Sequence, residues 1–197
     1  MLNNVLAAFN SGVAASTTSF ESIATVTVGS GGAATVSFTS IPSTYTHLQL
    51  RWLVRTQDSS ATGINNFHVT INETYDESRT NYDTHFLIGD GSSASASATT
   101  SSYSSRMGIV VEAGNTASVY AVGVMDILDY TDTNKYKVMR SLVGYDKNGA
   151  GTVRLSSGMR RNTAAVTSIY FTPPSAGGAS TKWAQYSHFA LYGIKSA

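Results

Sequence analysis

Asp126, Asp129 and Asp132 recur at every third residue. On a helix they would share a face and could hold a cation. The residues around them alternate with period two, which sets Asp126 and Asp129 on opposite faces of a strand. The stretch also lacks the alternating acids and central glycine of a calcium loop. The three read as solvated acids at a strand end and a turn. Glu73, Asp76 and Glu77 cluster in a predicted loop. Two facing carboxylates in different environments are what glycoside hydrolysis requires, but solvated loop acids account for this cluster more simply. His47, His68, His85 and His188 fall in predicted strands, without the His-x-x-x-His spacing of a zinc site. No Gly-x-Ser-x-Gly elbow occurs. Gly29-Ser30-Gly31-Gly32 precedes a strand, whereas a phosphate cradle needs a helix N-terminus after it. The expectation is a protein with no catalytic residue, no metal and no cofactor.

Aromatic side chains are the remaining candidates. Tyr75, Tyr82, Tyr103 and Trp183 lie in or near polar loops. There they could stack on sugar rings, contact a neighbouring subunit, or pack the ends of a sandwich, since tyrosine is enriched at interfaces.

The elements that must position these groups are strands. Ala24, Val26 and Val28 alternate, then Gly29 to Gly32 and the alternating Val36 and Phe38 predict a hairpin. Leu48, Leu50, Trp52 and Val54 alternate with Gln49, Arg51 and Arg55. The first four should be buried together and the last three should face solvent or a partner. Further strands are predicted over 67–71, 82–88, 106–112, 117–130, 135–146, 152–156, 166–172 and 186–195. Ser92 to Ser105 carries almost no apolar mass and predicts a long surface loop. About ten strands at short spacing indicate an all-β, antiparallel two-sheet β-sandwich of jelly-roll type.

The chain has 197 residues, enough for one such domain, and no break in composition divides it. Residues 20–197 are assigned to the sandwich and 1–19 to a short N-terminal arm. Only 13% of residues are charged, yet 42% are apolar, with 11 Tyr and 7 Phe, so a core can form. The net charge of +1 gives no bulk attraction to nucleic acid or membrane. Charge is uneven along the chain. From Gln57 to Asp90 acids dominate, and from Lys135 to Arg161 bases dominate. Folding either intermixes them or builds complementary faces on neighbouring subunits. Absence of cysteine excludes disulfide, thiol and Cys-metal chemistry. No apolar run reaches the length of a membrane span, and no signal peptide is legible at the N-terminus. Leu2, Val5, Leu6 and Phe9 form one apolar stripe at helical spacing, broken by Asn10-Ser11-Gly12. So short a helix is marginal alone. Its stripe is the candidate docking surface for a partner chain.

Three stretches in combination resemble a module of tailed-bacteriophage virion structural proteins. They are Phe38-Thr-Ser-Ile-Pro-Ser-Thr-Tyr-Thr-His-Leu-Gln-Leu-Arg51, Arg161-Asn-Thr-Ala-Ala-Val-Thr-Ser-Ile169 and Gln185-Tyr-Ser-His-Phe-Ala-Leu-Tyr-Gly-Ile-Lys195. The resemblance spans most of Glu21 to Ile194. It implies a virion protein made in the host cytoplasm, a homotrimer, and the major capsid protein or other virion proteins as partners. Within that class the expectation is a non-enzymatic cement or decoration protein on the head surface, because the chain is short, lacks shaft repeats and carries an apolar N-terminal stripe. The alternative is a tail-associated, glycan-binding fibre protein or adhesin. A cleft of exposed aromatics and carboxylates far from the N-terminus would favour that alternative.

Overall fold

The computed structural model describes residues 19–59, 65–78, 80–174 and 181–195. Among them there is no helix. The strands are β1 (Phe20–Thr27), β2 (Val36–Phe38), β3 (His47–Val54), β4 (Asn65–Ile71), β5 (Tyr82–Gly89), β6 (Ala94–Ser102), β7 (Ser105–Val110), β8 (Ala121–Ile127), β9 (Lys137–Asp146), β10 (Gly151–Arg160), β11 (Ile169–Thr172) and β12 (His188–Ile194). They form an antiparallel two-sheet sandwich. One sheet has eight strands in the order β1-β12-β3-β8-β9-β10-β5-β6, and the other has four in the order β2-β11-β4-β7. Strand pairs nest along the chain: β1 with β12, β2 with β11, β3 with β8, β4 with β7. The hairpins β5–β6 and β9–β10 are inserted into this scheme. They meet through the β10–β5 ladder and extend the large sheet beyond β8.

The core lies between the sheets. In β3, Leu48, Leu50, Trp52 and Val54 are all at most 2% exposed, as their alternation predicts. Trp52 meets Phe67 edge-on at 5.3 Å, and Phe171, Phe189 and Trp183 complete the aromatic cluster. Edge-to-face pairs of this kind add to area burial. Gly123, opposite Trp52 on β8, is required here, because a Cβ would lie 2.5 Å from the indole ring. Arg51 is exposed and Gln49 half-buried, but Arg55 is buried, against its expected place. Its guanidinium donates to the carbonyls of Ala113, Asn115, Thr116 and Val119. A loop that offers four acceptors can hold a buried cation without a carboxylate.

The extension of the large sheet is built differently. The inward side of β10 carries Thr152, Arg154, Ser156 and Arg160, all buried. Their polarity has a structural cause, because β7 is the edge strand of the small sheet and packs across β9, β10 and β5. Its free backbone groups need partners. Thr84 Oγ1 accepts from the Arg106 amide at 3.0 Å, Ser141 Oγ donates to the Met107 carbonyl at 2.5 Å, and Arg154 donates to the Arg106 carbonyl at 2.5 Å. Arg154 also donates to Asn66 and to Ser156, and its guanidinium lies 3.8 Å from the centre of the Phe86 ring. Burial, and secondarily the Arg106 charge, lowers its pKa to about 10, so it stays charged.

Three local expectations change. Gly29 to Gly32 does not close a hairpin, because β1 and β2 belong to different sheets and the glycine segment is a crossover between them. Its end is fixed by the Ala33–Trp183 bridge. Most of the predicted loop Ser92 to Ser105 is β6, held by a ladder from Tyr82–Ser102 to Gly89–Ala94. Backbone pairing to β5 overrides its weak apolar signal. Finally, a bulge between Ser22 and Ala24 re-phases β1, so Ile23, Ala24 and Val26 all pack against the core.

Candidate functional site

Two surface regions stand apart, one on each outer face of the sandwich. The first is the outer face of the eight-stranded sheet. Register places Leu53, Val122, Gly144, Val153, Gly89 and Ala94 in one cross-strand row. Val124, Leu142, Leu155, Leu87 and Ala96 form the adjacent row. Leu128 and Val138 continue the surface beyond a row that holds the Asp126–Arg140 ion pair at 3.1 Å. Leu53, Val122, Val153, Leu142, Leu155, Leu87, Leu128 and Val138 are each 44–58% exposed. A trough of about 740 Å³ runs over Leu87, Ala96, Ala98, Leu128, Val138 and Leu155. Scattered exposed apolar side chains are ordinary, but a contiguous set of this extent marks an interaction surface.

The second region lies on the small sheet. His68 and Thr70 of β4 and Thr172 of β11 form the floor of a pocket of about 380 Å³. Tyr75, from the β4–β5 connection, and Tyr103, from the β6–β7 connection, form its wall together with Thr74, Ser104 and Pro173. The two tyrosine rings stack at 4.9 Å and 23°, and Tyr103 lies 5.2 Å from the His68 ring. Ser104 Oγ lies 2.7 Å from His68 Nδ1, and the Tyr103 hydroxyl 3.4 Å from Nε2. Burial, then the Arg106 charge, depresses the His68 pKa to about 4, so the ring is neutral near pH 7. Thr70 is 3% exposed and its hydroxyl has no partner among the described residues.

Of the four candidate aromatics, the fold brings Tyr75 and Tyr103 together and removes the other two from the surface. Tyr82 is fully buried and tied to Ile71 and Glu73 through its hydroxyl, and Trp183 is a core residue whose indole donates to the Phe171 carbonyl. The polar neighbours of both in sequence place them in or near loops, with Tyr82 at the start of a predicted strand. Each buries its rings and keeps a polar handle in contact with backbone or carboxylate.

Most members of the carboxylate clusters are paired within the chain, while Glu77 stays exposed. Asp76 is buried, and although burial opposes ionisation, hydrogen bonds from Ser78, Asn81 and Thr80 hold its pKa below the usual range. It organises the loop that carries Tyr75, so it is not the solvated acid that the sequence suggested. Glu73 pairs with Arg160, and Asp83 with Arg161, so the acidic and basic segments intermix within the chain. β8 ends at Ile127, so Asp129 sits in a turn and strand parity does not govern it. Asp126 pairs with Arg140, while Asp129 and Asp132 share Lys135. No group of three metal-ligating side chains occurs among the described residues. Leu2, Val5, Leu6 and Phe9 lie outside the described residues.

Sequence reasoning missed the apolar outer face. The signal was present. Val138, Leu142 and Met139, Val143 occupy both alternating sets of β9, so either face of that strand is apolar. Comparison with protein-family models, with curated proteins and with solved structures found no match.

Proposed function

We propose that this chain is a non-enzymatic structural protein of a tailed-phage virion, a cement or decoration protein whose copies associate as a homotrimer on the head surface. The observation that carries the assembly part of this reading is the apolar outer face of the eight-stranded sheet. Half-exposed leucine and valine side chains contribute on the order of 1 kcal/mol each when covered. Eight of them per copy can offset the cost of association. Placement in a virion rests on the resemblance to phage modules, and placement on the head on the apolar N-terminal stripe and the lack of shaft repeats in the sequence. The nested strand pairs support a jelly-roll reading of the sandwich, with two inserted hairpins enlarging one sheet.

Labelling intact particles with an antibody against this chain, followed by electron microscopy, tests the placement. Label over the head is expected. Label confined to the tail would overturn the decoration reading and favour the adhesin.

A further inference from the structure

We propose that the pocket formed by His68, Thr70, Tyr75, Tyr103 and Thr172 binds an uncharged pyranose unit of a glycan. This goes beyond the assembly role and does not depend on it. Tyr103 lies between His68 and Tyr75 in a ladder of rings. Tyr75, at its outer end, is 41% exposed. An aromatic face beside hydroxyl groups suits a sugar, whose C–H face is apolar and whose edge is a ring of donors and acceptors.

The chemistry of the lining selects against charge. It comprises Thr, Ser, Tyr, Pro and one His, with no Asp, Glu, Lys or Arg. The His68 ring is neutral near pH 7. A buried hydroxyl without a partner costs free energy, and Thr70 Oγ1 at the pocket floor is such a group. That oxygen is sealed from solvent, so the polar contacts to a sugar fall to Tyr75, Tyr103 and Thr172.

The walls are also preorganised. Asp76 accepts from the amides of Ser78, Thr80 and Asn81, and its own amide donates to the Tyr103 carbonyl at 3.2 Å. The two loops that carry the stacked tyrosines are therefore tied together. A loop fixed before binding loses less entropy on binding. The pocket opens on the small sheet, on the side of the sandwich opposite the apolar face. Assembly through the large sheet would leave it facing outward.

The test is ligand-observed NMR on the full chain with maltohexaose, cellohexaose and mannohexaose as neutral probes, and sialyllactose and a heparin tetrasaccharide as acidic ones. Saturation transfer to at least one neutral probe is expected. Tyr75→Ala should weaken it about tenfold with a melting temperature lowered by no more than about 4 °C, because the residue is 41% exposed and loses only its stack on Tyr103. Thr172→Val, which replaces a lining hydroxyl with a methyl group, should also weaken binding while leaving the melting temperature within a few degrees of the wild type. Binding of the acidic probes alone, or of none, overturns the proposal. So does neutral-sugar binding that both variants leave intact.

Discussion

β3 and β10 lie in the same sheet, and both alternate apolar with polar residues, yet they face opposite ways. β3 turns Leu48, Leu50, Trp52 and Val54 into the core and Arg51 toward solvent. β10 turns Arg154 and Ser156 inward and leaves Val153 and Leu155 exposed. The difference follows from what lies opposite each strand. β3 meets aromatic side chains of β4 and β11. β10 meets the backbone edge of β7, which needs hydrogen-bond partners rather than apolar cover. Its apolar side is then free to face outward. An alternating pattern defines two faces, and the neighbouring layer decides which face is inside.

Breaking the inward polar layer gives the largest effect. Arg154→Ala leaves the Arg106 carbonyl and Asn66 without their donor and should cost about 3 kcal/mol or more. Arg51→Ala on β3 removes only exposed contacts, a hydrogen bond to Gln49 and the cation–π contacts with Phe20 and Tyr192, and should cost under about 1 kcal/mol. Urea denaturation of the two variants checks this, and equal losses would contradict the inversion. The apolar sides should show the reverse order. Leu50→Ala should cost about 2–5 kcal/mol. Leu155→Ala, measured where the chain is dilute enough to be monomeric, should cost under about 1 kcal/mol.

A smaller effect separates buried polar groups that are paired from one that is not. Glu112 is fully buried. Its Oε1 accepts from Asn65, and its Oε2 has no partner among the described residues. Burial, then the Asp58 charge, raises its pKa from 4.5 to about 7. The folded state therefore holds this proton more tightly than the unfolded state, and stability falls as pH rises from about 4.5 to about 7. Glu112→Gln should be neutral at pH 4.5 and stabilising above pH 7. His68 has the opposite sign. Its pKa is depressed from 6.5 to about 4, so stability is lost as pH falls through that window. His68→Gln should flatten the acid side of the melting curve. Melting temperature against pH for the three proteins checks both signs.

Much of this architecture was legible in the chain. The alternation around Trp52 located a core strand, and turn residues located most strand ends. Three features were not legible, for physical reasons. Serine, threonine and alanine in β6 form a strand only because β5 supplies a ladder. Arg55 looked like a solvent residue because the four carbonyls that hold it come from a distant loop. Tyr82 and Trp183 sit beside polar residues in sequence but meet their apolar neighbours only across the sheets. Tyr75 and Tyr103 were legible as candidates, although their stacking depends on two loops that only the fold brings together. The outer apolar face was half legible: both alternating sets of β9 are apolar, while the outward turn of Val153 and Leu155 follows from β7 on the other side of β10.

The mass of the protein in solution tests most directly whether the inverted face is an assembly surface. Light scattering coupled to size exclusion should give a multiple of the chain mass for the wild type. The double variant Leu142→Asp, Leu155→Asp should be a folded monomer with the wild-type circular dichroism spectrum. A monomeric wild type, or a double variant that still assembles, would contradict the account.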